Sequence, residues 1–168
     1  MIRRAKIADV PLIKELVDAD AGRVLLEKEL VTLYEHVQEF WVAELAGELV
    51  GCGALHVLWE DIAELRTIAV HRRVRGHGVG HALVRKLIGL AVELGLPRVF
   101  VLTFETHFFA RHGFVEIDGA PVSTDVYEQM RRSRDTGVAE FLDLPFVKPN
   151  TLGNARMLLE LDEHGFTV

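Results

Sequence analysis

The sequence predicts an α/β fold, a mixed and largely antiparallel sheet flanked by helices, and three observations carry that reading. A strand, a glycine-rich turn, an amphipathic helix and a second strand succeed one another over residues 62–104, the order of a βαβ unit. Ahead of it, the short Ala46-Gly47-Glu48 connection separates two β-rich runs, as in a hairpin. The chain opens on a strand-like run followed by a helical one. At 168 residues, 49% hydrophobic and 26% charged, it is expected to form a single domain over 1–168 with ample core material.

Taken in order, residues 2–6 predict a short strand, and Asp9 reads as the N-cap of a helix carrying Leu12, Ile13 and Leu16 on one face. A second helix is expected over about 24–38. Phe40–Leu45 and Leu49–Trp59 read as antiparallel strands. Ile62–His71 is a further strand whose Ile68-Ala69-Val70 end is apolar on both faces, which places it inside the sheet. Val79, Leu83, Val84, Leu87, Ile88, Ala91 and Leu94 recur at helical spacing, with Arg85, Lys86 and Glu93 off the stripe. Gly95 and Pro97 end that helix, and Arg98–Phe104 is rich in β-formers. A short helix near 106–112, a strand after Gly113, a polar helix near 122–134, an irregular stretch to about 153 and a terminal strand at Arg156–Leu161 complete the chain.

Nineteen basic against twenty-five acidic residues give a net charge of −6, which argues against nucleic acid or an anionic membrane as a partner. The single cysteine, Cys52, has no partner for an internal disulfide and points to a reducing compartment. The first residues lack an apolar signal stretch, and no run approaches the roughly 18 apolar residues of a membrane span, so a cytoplasmic location is expected.

Charge is unevenly spread. Residues 71–86 hold Arg72, Arg73, Arg75, Arg85 and Lys86 with no acidic residue. Within that segment Arg75, Gly76, His77, Gly78, Val79 and Gly80 open the helix, with His81 next. Glycines let backbone approach a ligand closely, and a helix start offers free N–H groups to an anion, so a phosphate-bearing ligand fits this turn. The lysine and hydroxyl residue of a P-loop are missing, and G-x-G-x-x-G is not met. His77 and His81 stand four apart, but no third ligand has suitable spacing, and no metal is expected.

Arg75, Gly78 and Gly80, read as Arg-x-x-Gly-x-Gly after a strand ending Ile68-Ala69-Val70, resemble the acetyl-CoA-binding segment of the GNAT superfamily of N-acetyltransferases. The later run Phe108-Phe109-Ala110-Arg111-His112-Gly113-Phe114 is similar to the aromatic, basic, Gly-Phe segment after that superfamily's fifth strand. The resemblance narrows to the acetyltransferase domain of N-acetylglutamate synthases, in their short actinobacterial form. Residues 2–5, 25–28, 64–70, 99–103, 148–150 and 154–157 carry it, nearly the length of the chain. Longer members of that family add an amino-acid-kinase-like domain that senses arginine, for which 168 residues leave no room.

The resemblance implies a sheet splayed between the strands at 62–70 and 98–104, acetyl-CoA as cosubstrate and L-glutamate as acceptor, the first step of arginine biosynthesis. An α-amino group of pKa about 8 is mostly protonated at neutral pH, so the reaction needs a base. Glu64, eleven positions before Arg75, matches the glutamate that resembling enzymes use, acting through water or raised by partial burial. Backbone N–H groups around Ile68, Ala69 and Val70 are expected to meet the developing oxyanion and the pantetheine arm. Where many members carry a tyrosine that protonates the departing thiolate, this chain has Phe109, which has no proton to give and is expected to pack. Lys28, Thr67 and Arg156 are the first candidates for the acceptor's carboxylates. Arg66, expected on the opposite strand face from Thr67, ranks below them with Lys148 and Asn154. Direct attack is expected, because Cys52 lies in a different strand from the reacting segment. Arg131, Arg132 and Arg134 form a solvated helix face or the contact of a homodimer, and spacing does not separate the two. Glutamine or another small amine as acceptor, and a non-catalytic acetyl-CoA-binding module, remain as alternative readings.

Overall fold

The computed structural model describes residues 1–20, 28–147, 151 and 153–161. Among them are strands β1 (Ile2–Arg4), β2 (Phe40–Leu45), β3 (Glu48–Trp59), β4 (Ile62–Val70), β5 (Arg98–Thr103), β6 (Val115–Ile117) and β7 (Ala155–Glu160). They form one sheet in the order β1-β2-β3-β4-β5-β7-β6, antiparallel at every junction except β4 with β5. The helices are α1 (Val10–Asp20), α2 (Leu30–Glu35), α3 (Val79–Glu93), α4 (Thr106–Ala110), α5 (Thr124–Met130) and α6 (Thr136–Phe141).

The hairpin follows from its turn: Ala46 and Gly47 both take positive φ, +51° and +81°, the pair of conformations whose twist matches the flanking strands. On one face of the sheet α3 buries Val84, Leu87 and Ala91 against Leu55, Ala63, Leu65, Val99 and Val101. On the other, α1 sets Val10, Ile13 and Val17 on Val42, Cys52 and Ala54, while α6 sets Val138 and Phe141 on Ile62 and Phe100. No helix among the described residues is long and apolar enough to cross a membrane.

The central strands set up the site. β4 and β5 keep parallel register from Ile62↔Arg98 to Leu65↔Val101 and then separate, β4 running on beside β3 and β5 beside β7. This is the expected splay. Just past the parting point, Ala54 pairs with Arg66 but Cys52 pairs with Ala69, so Thr67 and Ile68 together oppose Gly53 in a β-bulge. Thr67 takes φ +57°, which a β-branched residue adopts only under constraint. A β-carbon on Gly53 would lie 2.6 Å from Ile68 Cδ1, so the absence of a side chain there makes room for the bulge.

Several local expectations change. Asp9 stands just before α1, which starts at Val10, but its carboxylate accepts the Lys6 N–H at 2.7 Å and pairs with Arg3 at 2.7 Å instead of capping that helix. Leu12 is 43% exposed, and the core stripe of α1 runs through Val10, Ile13, Leu16 and Val17 instead. Leu94 falls just past the end of α3 and is exposed. Of the helix expected over 24–38, residues 24–27 lie outside the described residues, and α2 covers only Leu30–Glu35. The polar helix near 122–134 is reduced to α5, and the stretch read as irregular contains α6.

Candidate active site

The glycine-rich turn leads into α3. Gly76 and Gly78 have φ of +78° and +83°, and a β-carbon on either would meet no atom within 4 Å. Backbone conformation is therefore what demands glycine at these two positions. The open space fronts the first N–H groups of α3, which have no intrahelical acceptor and carry the positive end of the helix dipole. Arg75 Nε donates to the Val70 carbonyl at 3.2 Å and ties the turn to the end of β4.

The turn and the splayed strands enclose a cleft of about 750 Å³. Its walls include Thr67, Ile68 and Val70 of β4, Val101–Thr103 of β5, Arg75, Gly76, Gly78, Val79, Gly80 and His81, and the aromatic pair Phe108 and Phe109 of α4. Among the described residues β4 has no ladder partner on this side beyond Leu65, so its backbone edge borders the cleft. Phe109 is buried and packs edge to face on Phe108 and Phe114, with centroids 5.0 Å and 5.4 Å away. His81 stacks on Phe108 and its Nδ1 lies 2.8 Å from His112 Nε2. Burial lowers both imidazoles, with the nearby Arg85 and Arg111 acting in the same direction, and His112 falls to about 4. At neutral pH the pair is uncharged, and one ring donates its N–H to the other.

A second cavity of about 580 Å³ opens on the other face of the sheet, between α2 and α6. Lys28, Thr32, His36, Arg66, Thr67, Arg134, Asp135 and Glu140 are among its walls. Thr67 is common to both hollows, so the bulge is the point where they meet. Its carbonyl accepts the Cys52 S–H at 3.6 Å. Cys52 is fully buried, which gives its thiol a packing role although it touches the bulge from the neighbouring strand.

Around this second cavity runs an ionic chain. Arg66 Nε donates to Glu64 Oε2 at 2.9 Å, and Arg66 Nη2 pairs with Asp135 Oδ1 at 2.9 Å. Burial pushes the Asp135 carboxyl up, but Arg66 and the Val138 N–H outweigh it and hold it below the usual range. Asp135 also caps α6 by accepting the Val138 N–H at 3.0 Å. Glu64 is 5% exposed and lies behind Arg66, outside the residues that line either cavity. Glu140 is equally buried but does line the second cavity, and its Oε1 has no hydrogen-bond partner among the described residues. Burial, reinforced by Glu64 and Asp135 and opposed by Lys28 and Arg66, raises its carboxyl to about 7.

Of the residues expected at the cofactor, Ile68, Val70, Arg75, Gly76, Gly78, Val79, Gly80, His81 and Phe109 converge on the cleft. Ala69, expected to contribute through its backbone N–H, has its side chain turned by the bulge to the opposite face, into the cluster with Val10 and Ile13. His77 is exposed off the cleft wall, its Nδ1 3.0 Å from the Arg75 carbonyl. Lys28 and Thr67, expected at the acceptor, both line the second cavity, and Arg66 joins them because the bulge breaks the alternation that would have separated it from Thr67. Arg156 is elsewhere. Its guanidinium binds the carbonyls of Gly119, Glu140 and Phe141 and lies over the Phe100 ring, so it braces the end of α6 from below. Asn154 lines neither cavity, and Lys148 lies outside the described residues. His36, Asp135 and Glu140 were not among the expected residues. The Asp135 N-cap, with Val138 and Phe141 as apolar anchors, was the sequence signal for the helix that carries Glu140.

Comparison with known proteins agrees with this geometry. Residues 12–114 match the family described as Acetyltransferase (GNAT) family. The chain is 65% identical to the amino-acid acetyltransferase of Mycobacterium tuberculosis over 164 residues, 96% of this chain and 94% of that one. It is 32% identical to the amino-acid acetyltransferase of Aeromonas salmonicida over 79% of its own length, but spans only 31% of that longer protein. Among solved structures, an M. tuberculosis protein in complex with CoA and NLQ superposes with a TM-score of 0.94 at 64% identity, over 96% of this chain and 99% of that one. N-acetylglutamate synthase from Neisseria gonorrhoeae, complexed with coenzyme A and N-acetyl-glutamate, gives 0.76 at 25% identity, over 96% of this chain and 35% of that one. The splayed β4–β5 pair, the glycine turn and these matches together place the chain in the GNAT family of acetyltransferases.

Proposed function

We propose that the protein transfers the acetyl group of acetyl-CoA to the α-amino group of L-glutamate, in the cytoplasm, as an N-acetylglutamate synthase. The observation that carries this reading is the meeting of two hollows at Thr67, one built for a diphosphate and an extended arm, the other walled by Lys28, Arg66 and Arg134. A dicarboxylate acceptor suits the basic wall, and the names of the similar proteins from M. tuberculosis and N. gonorrhoeae support the same chemistry.

In this reading the turn at Gly76–Gly80 and the first N–H groups of α3 hold the pyrophosphate. The free edge of β4 beyond Leu65 aligns the pantetheine arm as an added strand. A backbone N–H beside the bulge stabilises the oxyanion that forms on the thioester carbonyl. Lys28 and Thr67 receive the acceptor's carboxylates. Glu64, its carboxylate fixed by Arg66, takes a proton from the attacking nitrogen through a water molecule. Phe109 has no proton to offer, so the departing thiolate takes one from water; a thiol pKa near 8.5 makes that feasible.

Release of free thiol measured across the common amino acids tests the acceptor. Turnover is expected to be highest with glutamate, and a protein active on glutamine alone, or on none, would overturn the assignment. Glu64→Gln is expected to lower kcat by about 10²–10⁴-fold.

A further inference from the structure

Acetylation of an ammonium removes two protons from one nitrogen. The first must go before the lone pair exists, and the second leaves after the C–N bond has formed. One carboxylate cannot hold both. The acceptor-side hollow has a second carboxyl for the purpose. Glu140 is 5% exposed, lines the cavity together with Lys28, Arg66 and Thr67, and carries an oxygen with no hydrogen-bond partner among the described residues. A buried carboxyl left unsatisfied costs stability, and an arriving ammonium would satisfy it. Glu64 differs in being bonded to Arg66 and set behind it.

Resting on the acceptor reading above, we infer that Glu140 binds the acceptor's ammonium and takes its first proton, leaving the second to Glu64. The Glu140 carboxylate accepts a proton as one N–H bond breaks, giving a neutral acid and a free amine. The amine's lone pair forms the C–N bond while the carbonyl electrons move to oxygen. The nitrogen passes its second proton through a water molecule to Glu64, the carbonyl re-forms as the C–S bond breaks, and the thiolate leaves with the electron pair and is protonated by water.

The groups facing Glu140 fit this use. Lys28, just ahead of α2, and Arg66 on β4 favour its charged form, while Glu64 on β4, Asp135 at the cap of α6, and burial oppose it. The balance sets its carboxyl at about 7, where a group can take a proton and give it back.

The test is the pH dependence of kcat/KM for the amino acid acceptor in wild type, Glu140→Gln and Glu140→Asp, with CoA affinity measured calorimetrically in each. Wild type is expected to rise with pH through an inflection near 7. Glu140→Gln is expected to lose about 100-fold in kcat/KM for the acceptor together with that inflection, while its CoA affinity stays the same. Glu140→Asp is expected to keep the inflection at reduced activity. A Glu140→Gln enzyme within twofold of wild type, with its inflection intact, overturns the assignment and leaves the acceptor reading standing. So does a wild-type profile that is flat between pH 6 and 8. Wild-type inactivity on every amino acid overturns both.

Discussion

The guanidinium of Arg66 occupies the space that a side chain at residue 137 would need: a β-carbon on Gly137 would sit 2.5 Å from Arg66 Cζ and Nη2. The first turn of α6 and the ionic chain Glu64–Arg66–Asp135 are thus built around one another. Gly137→Ala is expected to displace a buried, doubly paired guanidinium and to lower stability by about 1–3 kcal/mol in urea unfolding. An unchanged midpoint would show that Arg66 has room to move.

Removing Arg66 goes further, since Glu64 and Asp135 would be left buried without their cation. Arg66→Met is expected to destabilise the protein by about 3–5 kcal/mol, several times more than truncation of an exposed pair such as Arg131 with Glu128. Thermal melts of the two variants side by side measure the difference.

Glu140 should work against stability as the pH rises. Its carboxyl is raised in the folded protein to about 7 from an ordinary 4.5, so the native state binds more protons than the unfolded chain between those values, and stability falls across that window. Ionising a carboxyl that folding has made ten times harder to deprotonate costs about 1.4 kcal/mol, and the wider gap at Glu140 gives a loss of about 3 kcal/mol by pH 8. Glu140→Gln is therefore expected to unfold at a higher denaturant concentration than wild type at pH 8, with the advantage shrinking toward pH 5.

The histidine pair sets a limit from the acid side. His112 and His81 are both lowered by burial, so the unfolded chain takes up protons that the native pair refuses as pH drops from 6.5 toward 4. Stability is expected to decline over that range, and His112→Phe, which removes the more strongly lowered of the two groups, should flatten the decline. An equally steep decline in that variant would place the acid sensitivity elsewhere.

Gly53→Ala tests the bulge. The added carbon would meet Ile68 Cδ1 at 2.6 Å and Leu87 Cδ1 at 3.0 Å, pushing Ile68 into the cleft. CoA affinity is expected to fall by about tenfold or more, and stability by about 1–3 kcal/mol. Unaltered CoA binding would show that Ile68 can be accommodated elsewhere.

The sequence was most legible where periodicity ran long or chemistry was distinctive. The fifteen residues of α3 and the glycines that open it announced themselves, and with them the cleft wall from Arg75 to His81. What stayed hidden was set by tertiary contact. The bulge at Thr67 depends on Gly53 across the ladder, and without it strict alternation sends Arg66 and Thr67 to opposite faces and misplaces Ala69. Helix α6 has only six residues and a glycine, too few to establish a period, and its stability comes from the Asp135 cap and from Arg156 gripping its last carbonyls. Glu140 was missed along with the helix that carries it. Arg156 looked like a substrate-binding cation because nothing in a strand of alternating residues reveals that backbone carbonyls will claim it.

The two hollows lie on opposite faces of the sheet, and among the described residues Thr67 is the one that lines both. A single molecule that fills both hollows at once would need a dumbbell shape, two heads joined by a tether thin enough to thread past residue 67.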